Sequence, residues 1–340
     1  MPEAKSKAEP APATEAAPAP RAAVRTVLVA PADAGMRLDR WFTREIQGLT
    51  HGRLQKLLRT GQVRVDGGRV TAGLRLAAGQ SIRIPPLPDL SALPPREVAP
   101  VSAKDAADLV ARVLYRDDDV IAINKPAGIA VQGGTGTERH IDGMLDALRF
   151  GSEERPRLVH RLDRDTSGVL LLARNGQSAA ALSRAFAGRS VHKTYWALTV
   201  GVPEPRRGTI DRPLAKGEGE MGREKMEESE DGDVAITDYR VIDDASRAAW
   251  VELSPRTGRT HQLRAHMAAI GTPIAGDRKY GGNEVMLPGI APKLHLHAAA
   301  VSVRIPGRKG IDVEAPLPEH MVATWRLFGF EGATPKKKKK

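Results

Sequence analysis

The chain has 340 residues, a formal net charge of +11 at pH 7, a sequence pI near 10.0 and no cysteine. The lack of cysteine excludes disulfide bridges and thiolate metal sites, and the charge favours a polyanionic partner such as a nucleic acid. Because there is neither an apolar signal segment nor a run of about 18 apolar residues, we expect a soluble, cytoplasmic protein without membrane contact.

The composition predicts five segments in chain order. Residues 1–28 are rich in Ala, Pro, Glu, Lys and Arg without periodicity, which predicts a disordered tail. Residues 29–86 are predicted to form a small folded unit, 87–104 a proline-rich linker, and 105–331 a larger domain. The final residues, 332–340, end in a run of lysines that we expect to be solvated.

The small unit is predicted to be α+β. Two stretches place apolar residues at helical spacing, and they are Leu38, Trp41, Phe42 and Ile46 in the first and Leu54, Leu57 and Leu58 in the second. Residues 62–70 alternate around Asp66 and Gly67, which predicts a β-hairpin. Between residues 35 and 85 there are ten Lys or Arg against three Asp or Glu, an excess that suits phosphate binding, although a solvated basic face would look the same.

The larger domain is predicted to contain a mixed, largely antiparallel sheet, because strand patterns adjoin one another as often as they adjoin helices. The predicted strands are 120–124, two that flank 160–168, 195–200, 235–242, 250–253 and 294–305. The predicted helices are 141–148 and 177–187, the second with Asn175 as its cap.

The polar segment 160–168, HRLDRDTSG, lies between two apolar runs and is therefore predicted to be a loop at the end of a strand. It resembles the signature of the pseudouridine synthases that modify ribosomal and transfer RNA. Three further segments match that family in the same order, and they are INKPAGIAV at 123–131, KTYWA at 193–197 and TGRTHQLRAH at 257–266. The resemblance covers about residues 105–320, and the string at 131–149 is most similar to the large-subunit synthase C branch.

The resemblance implies a pseudouridine synthase fold, a central mixed sheet split by a catalytic cleft, preceded by a unit similar to the S-four-like RNA-binding module. It implies an isomerase that turns uridines of large-subunit ribosomal RNA into pseudouridine without a cofactor or a metal. It also implies that Asp163 is the catalytic carboxylate, although Asp165 is a neighbouring rival. The carboxylate either attacks the anomeric carbon or removes the adjacent sugar proton, and the sequence leaves both routes open.

Two further catalytic residues are expected from the resemblance. Tyr195 can stack on the uracil and assist proton removal, whereas without the resemblance it would be an ordinary half-buried strand residue. Arg264 lies on a predicted helix whose apolar row is Leu263, Met267 and Ile270, so its guanidinium can face the cleft and lower the pKa of Asp163.

The expected RNA contacts lie in both domains. Arg161 either holds the flipped nucleotide or pairs locally with an aspartate, and these alternatives stay open. In the larger domain, the others are Arg164, Lys125, Lys193 and Arg259, which are expected to be either contacts to the RNA backbone or structural pairs. In the small unit, they are Arg37, Arg40, Arg53, Lys56 and Arg59. We expect the protein to act as a monomer.

Two residues depart from the family pattern. Gln132 stands where many relatives have His, and Asp233 stands where Lys is common, which bears on target choice rather than on the reaction. His295 and His297 share a strand face, but no carboxylate or cysteine set completes a metal site. Other readings are a synthase for other ribosomal or transfer RNA uridines, a noncatalytic ribosome-assembly protein, and a glycoside hydrolase, for which Asp165 is the nearby candidate for a second carboxylate.

Overall fold

The computed structural model describes residues 24–46, 48–87, 102–134, 137, 139–188, 190–218, 224–283, 285–305, 307 and 309–330. The chain divides into two units, residues 1–98 and 99–340. The predicted tail before residue 24, most of the predicted linker and the lysine run at 332–340 lie outside the described residues.

The first unit is α+β, as the patterning predicts. Its elements are β1 (Arg25–Leu28), a 3₁₀ turn (Pro31–Asp33), α1 (Leu38–Glu45), α2 (His51–Arg59), β2 (Arg64–Val65) and β3 (Ser81–Ile84). The two helices bury their predicted apolar faces in one core with Ile82 and Ile84 of the sheet. Thr50 caps α2, because its side chain accepts a hydrogen bond from the amide of Arg53.

One sequence-based expectation for this unit was wrong, and a second was only partly confirmed. The predicted tail extends to residue 28, but Arg25–Leu28 pair antiparallel with β3, a short strand that composition alone does not reveal. The predicted hairpin at 62–70 has the expected turn, with Asp66 and Gly67 at φ of 48° and 77°. Its first strand, β2, nevertheless pairs with β3, so the order of this sheet is β1-β3-β2.

The second unit contains the remaining elements. The strands are β4 (Val113–Arg116), β5 (Val120–Lys125), β6 (Arg157–Leu158), β7 (Ser167–Ala173), β8 (Val191–Val200), β9 (Arg207–Asp211), β10 (Leu214–Glu218), β11 (Glu224–Glu228), β12 (Ile236–Ala245), β13 (Ala248–Pro255), β14 (Leu296–Val303) and β15 (Ile311–Glu314). The helices are α3 (Ala103–Val110), α4 (Ile141–Met144) with a 3₁₀ turn (Leu145–Leu148), α5 (Gly176–Ala187), α6 (Gln262–Ala269), α7 (Arg278–Gly281) and α8 (Glu319–Phe328).

Among the described residues, ten strands form one sheet in the order β4-β5-β7-β14-β8-β13-β12-β9, with β6 beside β7 and β15 beside β14. The pairing of β7 with β14 is parallel and the other pairings are antiparallel, which confirms the predicted mixed, largely antiparallel sheet. Strands β10 and β11 form a separate hairpin.

The middle of the sheet is covered on both faces, so its strands are apolar on both sides. In β5, Ile121 and Ile123 face a core formed with α4 and the following 3₁₀ turn, whereas Val120 and Ala122 face α5 and β15. Asn175 caps α5 as predicted, in a reciprocal capping box with Ser178.

The other half of the sheet packs against α6 and α8. Leu263 and Met267 of α6 are buried against β8, β12 and β13, which confirms the predicted apolar row. Tyr195 of β8 contacts both this core and the core around α4, so it lies where the two halves of the sheet meet. In the described part of the chain, no helix is long and apolar enough to cross a membrane.

Candidate active site

The segment 159–166 forms the loop between β6 and β7, as predicted, and backbone contacts clamp it to the end of β5. The carbonyl of Arg164 accepts hydrogen bonds from the amide of Gly128 at 2.8 Å and from Nζ of Lys125 at 3.0 Å. The side chain of Arg164 returns a bond from Nε to the carbonyl of Gly128 at 3.0 Å. These hydrogen bonds therefore join the loop to the segment 123–131, which supports it rigidly.

Lys125 is the main element of this support. Its side chain is fully buried, and its ammonium donates to the carbonyls of Pro126, Ile129 and Arg164 at 2.8–3.0 Å. Burial lowers the pKa of Lys125 to about 8, although the negative charges of Asp165 and Asp163 act to raise it. Because all three protons of the ammonium are engaged, the structure contradicts the RNA contact of Lys125 and supports the structural alternative.

The end of the loop is fixed by a close approach of two strands. Gly168 has a φ of +112°, and a Cβ at this position would lie 2.2 Å from the carbonyl oxygen of Ala298 on β14. Next to it, the hydroxyl of Ser167 donates to Nδ1 of His297 at 2.8 Å, because Nε2 of His297 donates to the carbonyl of Ala315. The parallel pairing of β7 with β14 thus explains why the segment HRLDRDTSG ends in Ser167 and Gly168.

The start of the loop is held by His160. Its Nε2 accepts a hydrogen bond from the amide of Leu171 at 2.8 Å, and its ring stacks on Phe186 at 4.3 Å between centroids. Burial, followed by the charge of Lys193, lowers the pKa of His160 to about 3. This imidazole is therefore neutral and positions the loop.

The loop opens onto a cavity of about 470 Å³. Asp163 and Tyr195 both line it, so the structure brings together two of the three predicted catalytic residues. Burial, and secondly the charge of Asp163, raise the pKa of Tyr195, which keeps its phenol protonated at neutral pH.

Basic side chains surround this cavity. They are Arg161, Lys193, Arg256 and Arg259. Arg161 is exposed and makes no ion pair within the described residues, so the alternative of a local pair with an aspartate is not what the structure contains. Lys193 donates to the carbonyl of Thr257 at 3.3 Å, and burial lowers its pKa. Arg256 binds Asp238, a pair that the sequence did not reveal.

Arg264 is not among the residues that line the cavity, although the preceding residues, His261, Gln262 and Leu263, are. Its guanidinium donates two hydrogen bonds of 2.7 Å to Asp277, whose side chain is fully buried, while that of Arg264 is 9% exposed. Burial works to lower the pKa of Arg264, but the hydrogen bonds and charge of Asp277, and more weakly the charge of Asp163, leave it raised. Arg264 thus acts on Asp163 through space, and its direct partner is Asp277.

No sequence motif indicated Asp277, Tyr280 or the role of His261. His261 precedes α6 in the left-handed region, at φ 52°, and Tyr280 places its hydroxyl 3.0 Å from Nδ1 of His261. A buried arginine requires a buried anion, and that requirement was the one signal that could have indicated Asp277.

The segment between β13 and α6 is held in place by Gln262. Its Oε1 accepts hydrogen bonds from the hydroxyl of Thr257 and the amide of Arg259, and its Nε2 donates to the carbonyl of Ile236. Arg259 also donates to the carbonyl of Val234 and pairs with Asp233 at 3.4 Å. Asp233, which departs from the family pattern, thus forms an ion pair with Arg259, a residue that lines the cavity.

In the small unit, the predicted phosphate-binding residues differ in their surroundings. Arg40, Lys56 and Arg59 are exposed and form no ion pair within the described residues, whereas Arg37 donates to Asp39 at 2.7 Å. Arg53 is half-buried.

The two histidines that share a strand face in the predicted sheet both have hydrogen-bond partners. His295 bonds to Thr324 and the carbonyl of Lys293, so its nitrogens, like those of His297, are occupied.

The sequence profile of the family described as RNA pseudouridylate synthase matches residues 119–269. Ribosomal large subunit pseudouridine synthase C of Rickettsia conorii is 38% identical to this chain over 289 residues, which cover 83% of this chain and 94% of the relative. The protein of the same description from Salmonella typhimurium is 36% identical over 302 residues, covering 86% and 93%.

Two solved human structures are similar as well. RNA pseudouridylate synthase domain containing 4 aligns with a TM-score of 0.56 at 31% identity, covering 66% of this chain and 95% of that chain. RNA pseudouridylate synthase domain containing 1 aligns with a TM-score of 0.51 at 28% identity, covering 66% and 87%.

Proposed function

We propose that this chain, which belongs to the RNA pseudouridine synthase family and is therefore an isomerase, acts on uridines of large-subunit ribosomal RNA. The relatives named as ribosomal large subunit synthases match over more than nine-tenths of their own length, which supports a shared target class. A ribosomal RNA substrate also accounts for the net charge of +11. We expect the protein to act in the cytoplasm, as a monomer.

The observation that carries the chemistry is the cavity shared by Asp163 and Tyr195, together with the buried Arg264–Asp277 pair whose arginine senses the charge of Asp163. The reaction breaks the bond between the sugar and the uracil nitrogen, rotates the uracil, and forms a bond to its ring carbon five. No atom or electron is added. Asp163 starts it, either as a nucleophile at the anomeric carbon or as a base at the neighbouring sugar carbon.

Tyr195 is positioned to act on the base after rotation. Its phenol is protonated at neutral pH, so it can donate a hydrogen bond to the detached uracil and contact the ring with its face. Arg264 supplies a fixed positive charge that acts on Asp163 through space.

A uridine in folded RNA must be unstacked to reach this cavity, at a cost of a few kcal/mol. The exposed guanidinium of Arg161 at the cavity is suited to fill the space left by the nucleotide or to hold its backbone. Lys193, Arg164 and Arg259 add positive charge for phosphates. Arg40, Lys56 and Arg59 of the small unit offer further exposed charges, with Arg37 and Arg53 beside them in the sequence.

The test is chemical mapping of pseudouridine across ribosomal and transfer RNA from cells with and without the gene, followed by reaction of the purified protein with unmodified 23S RNA. We expect marks to disappear from the large-subunit RNA and to be restored by the protein. Loss of marks from transfer RNA alone would refute the target, and unchanged maps together with RNA binding would favour the noncatalytic alternative.

A further inference from the structure

His261 directly precedes α6, the helix that carries Arg264. It lines the cavity that Asp163 and Tyr195 share, and the charges of both Asp163 and Arg264 act on it. Its backbone is in the left-handed region, at φ 52°, which is costly for a residue with a Cβ. The fold therefore holds this imidazole in a fixed place at the cavity wall.

A chain of hydrogen bonds sets which nitrogen of His261 carries the proton. The amide of Met226 on β11 donates to Oη of Tyr280 at 3.0 Å, and Oη lies 3.0 Å from Nδ1 of His261. Burial raises the pKa of Tyr280 to about 12, so its hydroxyl keeps a proton that needs an acceptor. Nδ1 of His261 is that acceptor, and the ring proton is consequently on Nε2.

Nε2 of His261 has no hydrogen-bond partner within the described residues, and burial lowers the pKa of this imidazole. A neutral N–H donor suits a neutral acceptor. The phosphates of the RNA have cationic partners among the arginines and the lysine at the same cavity, whereas a uracil ring presents two carbonyl oxygens.

We propose that Nε2–H of His261 donates a hydrogen bond to a carbonyl oxygen of the flipped uracil and so contributes to the selection of the base. The inference rests on the proposed function, because it needs a uridine in this cavity. A hydrogen bond to the C4 oxygen discriminates uracil from cytosine, which carries an amino group there, whereas a bond to the C2 oxygen orients the ring without that discrimination.

The test is a double-mutant cycle between protein and RNA. Short RNA hairpins carry the mapped uridine as uridine, 2-thiouridine or 4-thiouridine, since sulfur is a weaker acceptor than oxygen. The proteins are wild type, His261→Asn and His261→Gln. The amide oxygen of Asn can replace Nδ1 of the imidazole as the acceptor, and the amide nitrogen of Gln can replace Nε2 as the donor, so the two variants separate the Tyr280 contact from the proposed base contact.

We expect one of the two thio substitutions to slow the wild type about 3- to 10-fold, the range for one neutral hydrogen bond. His261→Asn is expected to be slowed to a similar extent on uridine and to be insensitive to that substitution, whereas His261→Gln keeps the sensitivity. Melting temperatures check that each variant folds.

Equal sensitivity of wild type and His261→Asn to both thio substitutions would overturn the base contact and assign His261 a structural role. Failure of the wild type on the unmodified hairpin and on 23S RNA would instead overturn the proposed function itself, so the two failures are distinguishable.

Discussion

Replacing Asp277 by Asn tests the buried ion pair with Arg264. The substitution keeps the shape of the side chain and removes its charge, which leaves the guanidinium of Arg264 buried without an anion. Removing one partner of a buried pair costs about 3 to 5 kcal/mol. For a unit of this size, each kcal/mol lowers the melting midpoint by about 2 to 4 °C, so we expect a decrease of about 6 to 20 °C.

The matched control is Asp312→Asn. Asp312 pairs with Arg304 at 2.9 Å, but the two side chains are 65% and 59% exposed, so solvent screens the pair and no measurable change is expected. Calorimetry of both variants measures the difference. Equal midpoints for Asp277→Asn and wild type would refute the account of the buried pair.

A double variant separates the effect of this pair on stability from its effect on catalysis. Replacing both Arg264 and Asp277 by apolar residues of similar size removes the uncompensated charge, so stability is expected to recover apart from the cap that Asp277 gives α7. Pseudouridine formation is not expected to recover with it, because the positive charge near Asp163 is gone. Recovery of full activity in the double variant would contradict the electrostatic role of Arg264.

Three further outcomes are expected. Gly168→Ala forces a Cβ against the carbonyl of Ala298 and should lower the unfolding free energy by about 3 kcal/mol or more in urea titrations. Lys125→Met leaves buried carbonyls without a donor, so stability should fall by about 2 to 4 kcal/mol while RNA affinity in filter binding stays unchanged. Burial lowers the pKa of His295 and His297 to about 4. The unfolded chain therefore takes up more protons as the pH falls from 6.5 to 5, and stability in denaturant titrations should decrease by about 2 kcal/mol per histidine. Stability that does not change between pH 6.5 and 5, or a loss of RNA affinity in folded Lys125→Met, would contradict these assignments.

The sequence predicted the elements that have local patterns. The apolar rows of α1, α2 and α6, the Asn175 cap of α5 and the strand that begins at Val120 follow from periodicity and capping, and the structure contains them. The polar loop before β7 could be located because apolar runs flank it on both sides.

What the sequence did not reveal depends on contacts between distant segments. β1 is a strand because β3 lies beside it, and its own four residues carry too little pattern. For Lys125 the sequence left an RNA contact and a structural role open, and only the fold shows that three carbonyls from two loops surround its ammonium. Asp277 lies in a turn without periodicity, and its role appears only when α6 places Arg264 against it.

The most direct test of the central claim is single-turnover pseudouridine formation by Asp163→Asn on the RNA that the wild type modifies. The substitution keeps the size of the side chain in the cavity and removes the group that can attack the sugar or accept its proton. The account predicts unchanged RNA affinity and melting temperature with no detectable product. Product formed by Asp163→Asn at a rate near that of the wild type would contradict it.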